Sequence, residues 1–183
     1  KSKEVISYMF KEEGKANVIE RKLIRHRIGL IYPDITGLDN KEVQQTINET
    51  IQEEIYKMII EQGYEEDYTK EIWGEYDIKI NDHHLLSILI SIHSYSKGAA
   101  HGLTALKALN FNLKDGKVYE LADLFIKKSG YVSIISEFIK DEMMRKDVPL
   151  LVEFETIDKR QDFYLTPNAL ITFFQLYEYT PYA

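Results

Sequence analysis

The stretch Leu85-Leu86-Ser87-Ile88-Leu89-Ile90-Ser91-Ile92-His93-Ser94-Tyr95 decides the fold. Successive side chains on a strand point to opposite sides, so this alternation predicts a strand with one apolar and one polar face. The run from Trp73 to Ile80 alternates in the same way, and Asn81-Asp82 supplies turn residues between the two. We therefore predict that the two strands form a hairpin. Its apolar face comprises Leu86, Ile88, Ile90 and Ile92, and its other face Ser87, Ser91, His93 and Tyr95.

Further strands are predicted on both sides of this hairpin. Val5–Phe10 is typical of a strand, and Val18 to Tyr32 reads as one longer strand that ends at Pro33 and Gly37. In the longer strand, Ile24, His26, Ile28 and Leu30 are expected to share a face. Downstream, Ala105 to Leu113 alternates up to the turn signal Asp115-Gly116. The last part, from Asp162 to Tyr179, predicts two strands joined at Thr166-Pro167-Asn168.

Two main helices accompany these strands. The first runs from Asp39 to Gln62, with Asp39 as the expected cap and Gly63 after its end. The second runs from Tyr131 to Arg145, and Glu120–Phe125 predicts a shorter helix before it. Together the elements predict an α+β fold, in which a mainly antiparallel sheet packs against two main helices. The apolar stripe of the first helix comprises Val43, Ile47, Ile51, Ile55 and Ile59.

Composition limits the classes of function. The 183 residues are expected to form a single domain, 1–183, and a division into lobes 1–82 and 83–183 stays open. The absence of cysteine excludes a disulfide scaffold, a thiol nucleophile and cysteine-ligated metals. The formal charge of −7 disfavours nucleic acid and permits attraction to a cationic partner. No apolar run approaches the roughly 20 residues of a membrane span, so membrane attachment is expected only through segments outside this sequence.

Three polar clusters are candidates for a catalytic, metal or anion site. His83-His84 is the one close histidine pair, but neighbouring residues on a strand face opposite ways, so a loop pair is favoured over a metal site. Glu153 and Glu155 would share a strand face and could act as an acid–base pair, although a solvated edge is the simpler reading. The basic run Arg21, Lys22, Arg25, His26 and Arg27 is read as a charged sheet face rather than an anion site. No phosphate loop, nucleophile elbow or zinc-protease motif is present, and no cofactor or metal is predicted.

The C-terminal tail is rich in aromatic residues. Phe173, Phe174, Tyr177, Tyr179 and Tyr182 lie close together, with Pro181 among them. Inward members of such a strand belong to a core, whereas outward tyrosines are large, rigid and amphipathic, which suits a binding hot spot. The pattern alone leaves both roles open.

Two motifs connect this chain with a known domain. The first is Tyr95-Ser96-Lys97-Gly98-Ala99-Ala100-His101-Gly102, followed by Leu109-Asn110-Phe111-Asn112-Leu113-Lys114-Asp115-Gly116. The second begins at Asp162-Phe163-Tyr164-Leu165-Thr166-Pro167-Asn168 and ends at Tyr177-Glu178-Tyr179-Thr180-Pro181-Tyr182. Over about Val18 to Ala183, the chain resembles the extracytoplasmic domain shared by RsiV-type anti-sigma factors and the non-catalytic part of PdaC-type peptidoglycan deacetylases.

The resemblance implies a bacterial cell-envelope domain outside the cytoplasmic membrane. Among the anti-sigma factors it implies binding of lysozyme, a cationic protein, as the trigger of signalling. The contact region of the family falls on Pro181 and Tyr182, and a serine near the His-Gly motif falls on Ser96. The sequence departs from the family at Ala99-Ala100, where a Gly-Gly is often found, and it stops at Ala183, where relatives continue.

We therefore expect a non-catalytic binding domain, anti-sigma-factor-like, with lysozyme as its protein partner. The expected partner-binding residues are Ser96, His101, Tyr177, Tyr179, Pro181 and Tyr182. The alternative is an accessory wall-associated module of a polysaccharide deacetylase or another envelope enzyme. A third hypothesis is a glycan hydrolase that acts through Glu153 and Glu155.

Overall fold

A computed structural model describes residues 14–181, which form two sheets and two α-helices. The predicted α+β fold is confirmed. The strands are β1 (Asn17–Arg25), β2 (Ile28–Thr36), β3 (Lys70–Asp82), β4 (Leu85–Ser96), β5 (Leu103–Asn112), β6 (Phe163–Thr166) and β7 (Ala169–Thr172). The helices are α1 (Lys41–Glu61) and α2 (Tyr131–Arg145), and a 3-10 helix spans Leu121–Leu124.

The main sheet has the order β1-β2-β3-β4-β5. Its neighbours pair antiparallel except β2 and β3, which run parallel over Ile28–Leu30 and Ile72–Gly74 because α1 carries the chain between them. Helix α1 packs on one face through the predicted stripe, and Val43, Ile47, Ile51, Ile55 and Ile59 are all buried. Asn40, not Asp39, caps this helix: its Oδ1 accepts from the amides of Glu42 and Val43 at 3.0 and 3.2 Å.

The predicted single strand from Val18 to Tyr32 is wrong. The chain reverses at His26-Arg27, and β1 pairs with β2 as a hairpin from Asn17↔Thr36 to Arg25↔Ile28. Arg27 adopts the left-handed conformation (φ 62°), and its guanidinium donates to the carbonyls of Asp67 and Lys70 at 2.8 Å. Contacts distant in sequence therefore hold a turn that carries neither glycine nor proline. As a result Ile24 is 76% exposed whereas Ile28 and Leu30 are buried. The strand predicted at Val5–Phe10 lies outside the described residues.

The hairpin of β3 and β4 is confirmed, and its apolar face is buried against α1. The reversal lies at His83-His84 rather than at Asn81-Asp82, because both histidines adopt positive φ (50° and 61°) and β3 extends to Asp82. Tight two-residue hairpin turns need this conformation, since it matches the twist of the strands.

The C-terminal part forms a second buried cluster. It contains Leu121, Phe154, Ile157 and Phe163, and one side of α2 packs on it. Strands β6 and β7 form the predicted hairpin around Pro167-Asn168. The predicted second strand ends early, at Thr172, and three residues later Gln175 bonds Leu106 of β5 instead. Glu153 and Glu155 lie on irregular chain, not on a strand, and both are exposed.

Buried polar groups join this part to the main sheet. Ser87 and Asn110, both buried on the face opposite α1, share a hydrogen bond of 2.6 Å. Asn110 Nδ2 donates to the Phe163 carbonyl at 2.8 Å, and the Leu165 amide donates to Ser87 Oγ at 3.0 Å. The β6–β7 hairpin is thus fixed over one end of the main sheet.

Candidate partner-binding site

The two motifs meet at a contact between His101 and Tyr177. Tyr177 Oη lies 2.9 Å from His101 Nε2, although 76 residues separate them in sequence. The two rings are 5.9 Å apart and tilted, and both residues are exposed, Tyr177 by 38%. The fold therefore joins the loop 97–102 and the tail 173–181 into one surface.

The backbone of the tail is held in an uncommon conformation at this contact. Tyr177 has φ 67°, which is uncommon for a residue other than glycine. A small turn holds it: the Glu178 carboxylate accepts from the Gln175 amide at 2.7 Å, and the Glu178 amide donates to the Gln175 carbonyl at 3.1 Å. Such conformations cost about 1–3 kcal/mol and concentrate at functional sites. The turn presents the tyrosine ring toward the loop.

Gln175 anchors the same tail to the edge of the main sheet. Its side-chain amide donates to the Leu106 carbonyl at 2.8 Å, and its Oε1 accepts from the Leu106 amide at 3.1 Å. These bonds satisfy the backbone amide and carbonyl of Leu106 on the edge strand β5, as pairing with a further strand would. Sequence reasoning missed this residue, because a lone glutamine in a tail carries no signal.

Ser96, just before the loop, acts on the carboxyl group of Asp67. This carboxylate accepts from the amide and hydroxyl of Thr69 at 2.8 and 2.7 Å. The Ser96 bond first, and then the Thr69 bonds, lower the pKa of Asp67 from 3.8 to about 2. Close by, Tyr95 Oη donates to the Ala99 carbonyl at 3.2 Å, so the loop folds back over the end of β4.

The remaining predicted residues take different places. Tyr179 packs edge-on against Phe154 and Phe174, with ring centroids 5.2 and 4.9 Å away, and belongs to the second buried cluster. Pro181 is half-buried. Tyr182 lies outside the described residues.

The other polar clusters have structural partners. His83 is exposed at the hairpin turn with Nδ1 2.8 Å from Asp82, and no group of three metal-ligating side chains occurs within residues 14–181. Arg21 pairs with Asp34 at 2.8 Å, while Arg27 lies over the Tyr64 ring at 4.4 Å, so the basic run is divided among separate contacts. In the same described range, no helix is long and apolar enough to span a bilayer.

Comparison with known proteins supports the resemblance read from the motifs. Residues 19–104 match the family model described as deacetylase PdaC, and residues 122–183 match that of a protein of unknown function, DUF3298. The anti-sigma-V factor RsiV of Bacillus subtilis (strain 168) is 28% identical over 165 residues, which cover 81% of this chain and 56% of RsiV. The chain thus spans little more than half of this curated relative, and it resembles RsiV and the non-catalytic region of PdaC.

Two solved structures share the fold. A DUF3298 family member from Bacteroides fragilis superposes with a TM-score of 0.65 at 15% identity, over 94% of this chain and 88% of that one. A DUF3298 family protein from Pseudomonas aeruginosa superposes with a TM-score of 0.50 at 10% identity, over 73% of this chain and 67% of that one. His101 lies in the range matched by the PdaC model and Tyr177 in the DUF3298 range, so their contact joins the two matched regions.

Proposed function

We propose that this chain is a non-catalytic sensor domain of an anti-sigma factor, located outside the cytoplasmic membrane, and that it binds lysozyme. The broader statement, an anti-sigma-factor-like or accessory envelope domain, has the support of the similarity to RsiV and to both family models. The contact between His101 and Tyr177 carries the finer proposal, because it brings an exposed tyrosine and an exposed loop together at the two motifs.

Charge favours a cationic partner. The sequence carries a formal charge of −7, and lysozymes are generally cationic, so association would be steered by long-range attraction. Exposed aromatic residues supply the central contacts that dominate many interfaces. We assign this role to Tyr177 and Tyr182 and a supporting role to Pro181, whereas Tyr179 acts through the core beneath the tail.

Calorimetric titration of the purified domain with hen lysozyme, at low and moderate salt, tests the proposal. We expect a complex in the micromolar range, and no detectable heat at about tens of micromolar protein would contradict lysozyme as the partner. We expect Tyr182→Ala to weaken binding by about 1–3 kcal/mol, as truncation of an aromatic hot spot does.

A second pair of variants isolates the structured contact. Tyr177→Asn removes the ring, while asparagine tolerates the left-handed backbone better than most residues. We expect it to weaken lysozyme binding with little loss of stability. Tyr56→Asn is the matched control, because Tyr56 is exposed by 62% on α1 and lies beside Leu23 and Arg25 of β1, at the opposite edge of the main sheet from the β5 strand that anchors the tail. Equal affinities of the two variants would assign Tyr177 to packing alone.

The second candidate is an accessory module of a polysaccharide deacetylase or another envelope enzyme. The match of residues 19–104 to the PdaC model favours it. The full-length gene separates the candidates, since a cytoplasmic segment with one membrane span indicates a sensor, and a downstream deacetylase domain indicates a module.

A further inference from the structure

Within residues 14–181, one end of the main-sheet face opposite α1 is not covered by another element; we refer to it as the bare end. The β6–β7 hairpin lies over Ser87 and Asn110 at the other end, as described above. Toward the bare end the strands carry Trp73, which is 47% exposed, and Tyr95, which is 38% exposed. Trp73 faces outward because its neighbour Ile72 is buried in the core and side chains alternate along a strand.

A row of paired residues crosses all five strands at Trp73. Strand register places Ile24 beside Gly29, Gly29 beside Trp73, and Trp73 beside His93. The Trp73 and His93 rings stack at 5.7 Å and 22°, and His93 Nδ1 is 2.9 Å from Thr104 Oγ1. The indole is thus supported on the side of β4.

The other side of the indole is open. A Cβ placed on Gly29 would meet no atom within 4 Å, and Ile24 beyond it is 76% exposed. Ile24, Gly29 and Trp73 therefore form a slot with an aliphatic wall, a backbone floor and an aromatic wall. We refer to these three residues as the Gly29 slot.

Acidic side chains flank the slot on the same face. Glu71 and Glu75 stand two residues before and after Trp73, and both are exposed. Neither makes a hydrogen bond or an ion pair through its carboxylate within residues 14–181, whereas Asp77 lies 2.9 Å from Lys79. The neighbouring cation Lys22 lies 4.0 Å from Glu20. An unpaired negative charge thus borders an open aromatic surface.

We propose that the Gly29 slot docks an arginine side chain presented by a cationic protein partner. A planar guanidinium can stack on an indole and still donate to carboxylates, which a lysine ammonium does less well. Glu71 and Glu75 supply acceptors for such charge-assisted hydrogen bonds. The inference rests on the proposed function, in which the partner is cationic, and it adds a docking point away from the Tyr177 contact.

Fluorescence of Trp73 tests the slot directly, because it is the one tryptophan in the 183 residues. The probe is an octa-arginine peptide at low salt, which contains no fluorophore. We expect a saturable change in Trp73 emission. Gly29→Ile, which fills the slot, is expected to abolish it.

Charge variants separate docking from general attraction. We expect Glu75→Gln to weaken octa-arginine binding by about three- to tenfold. Glu53→Gln removes the same charge from α1, on the other face of the sheet, where its carboxylate offers no acceptor to a guanidinium stacked on Trp73. It should leave binding within about twofold. Equal losses of octa-arginine affinity in Glu75→Gln and Glu53→Gln would contradict docking at the Gly29 slot.

Other occupants give different results. A response to chitotetraose but not to octa-arginine would indicate a glycan, and a change with protein concentration alone would indicate a second copy of the chain; either overturns the proposal. If octa-arginine binds but lysozyme does not, the slot stands and lysozyme fails as the partner. If lysozyme binds wild type and Gly29→Ile with equal affinity, and octa-arginine causes no change in Trp73 emission, the slot proposal is wrong and the proposed function stands.

Discussion

At the scale of single residues, Ser96 is tied to the ionisation of Asp67. The Ser96 hydrogen bond is the largest cause that lowers the pKa of this carboxyl from 3.8 to about 2. Because the folded-state pKa lies below the unfolded value, these bonds stabilise the fold above about pH 4, and that contribution is lost as the pH falls through about 2. The bonds therefore weaken in acid and not at neutral pH.

We expect Ser96→Ala to raise the pKa of Asp67 toward 3.8, because the Thr69 bonds alone would remain. NMR titration of the Asp67 carboxyl carbon measures the change. Ser91→Ala is the control. Alternation along β4 places Ser91 on the opposite face from Ser96, and Ser91 is not among the groups that lower the pKa of Asp67. If Ser96→Ala leaves the pKa of Asp67 unchanged, the hydrogen bonds from Thr69 alone account for its low value.

The aromatic residues of the tail show what a sequence can predict about a site. Their clustering indicated either a core or a binding surface. Tyr179 belongs to the second buried cluster, whereas Tyr177 is exposed beside His101, and its role in binding stays a prediction. Which ring faces inward depends on the left-handed backbone at Tyr177 and on the anchor that Gln175 makes to β5. Neither follows from alternation, because alternation assumes a regular strand and the tail has none.

At the scale of elements, two glycines on adjacent strands have opposite surroundings. A Cβ on Gly74 would lie 2.7 Å from Leu30 Cδ2 and 2.9 Å from the Ser91 carbonyl oxygen, whereas Gly29 has open space. We expect Gly74→Ala to destabilise the protein by about 1–3 kcal/mol through overpacking. Gly29→Ala should be neutral or stabilise by about 0.5–1 kcal/mol, because glycine is a poor strand residue. Urea unfolding of the matched pair measures both, and similar effects would contradict this packing.

The elements that could be predicted are those with local signals. Helix α1 has a cap, an apolar stripe and a following glycine within its own sequence, so only the capping residue was misplaced. The turn at His26-Arg27 has no such signal, since carbonyls of residues 64–70 hold the Arg27 side chain. The alternation of side chains therefore runs through His26-Arg27 without interruption. Only contacts with residues distant in sequence specify that the chain reverses there.

At the scale of the whole molecule, Asn110 couples the two buried clusters. It is 2% exposed and bonds both Ser87 and the Phe163 carbonyl. We expect wild type to unfold in one transition, seen alike by Trp73 fluorescence and by NMR signals of Phe154. Asn110→Ala should cost about 1–3 kcal/mol, since it leaves buried polar groups unsatisfied, and should separate the two transitions. Asn112→Ala is the control, because Asn112 is half-buried at the end of β5 and its side chain accepts from the Lys114 amide rather than joining the two clusters. Coincident transitions in Asn110→Ala would contradict the coupling.

The charge of the whole chain predicts how binding depends on salt. If lysozyme is the partner, as proposed, the formal charge of −7 attracts this cationic protein beyond the contact itself and speeds association. We therefore expect the association rate to fall as ionic strength rises from about 0.01 M to 0.15 M, since the Debye length shortens from about 30 to 8 Å. The dissociation rate should change much less, because it depends on short-range contacts, which the proposal assigns to Tyr177 and Tyr182. Stopped-flow or surface kinetics measure both rates, and lysine-acetylated lysozyme should associate slowly at every salt concentration. A salt-independent association rate would mean that aromatic contacts alone carry recognition.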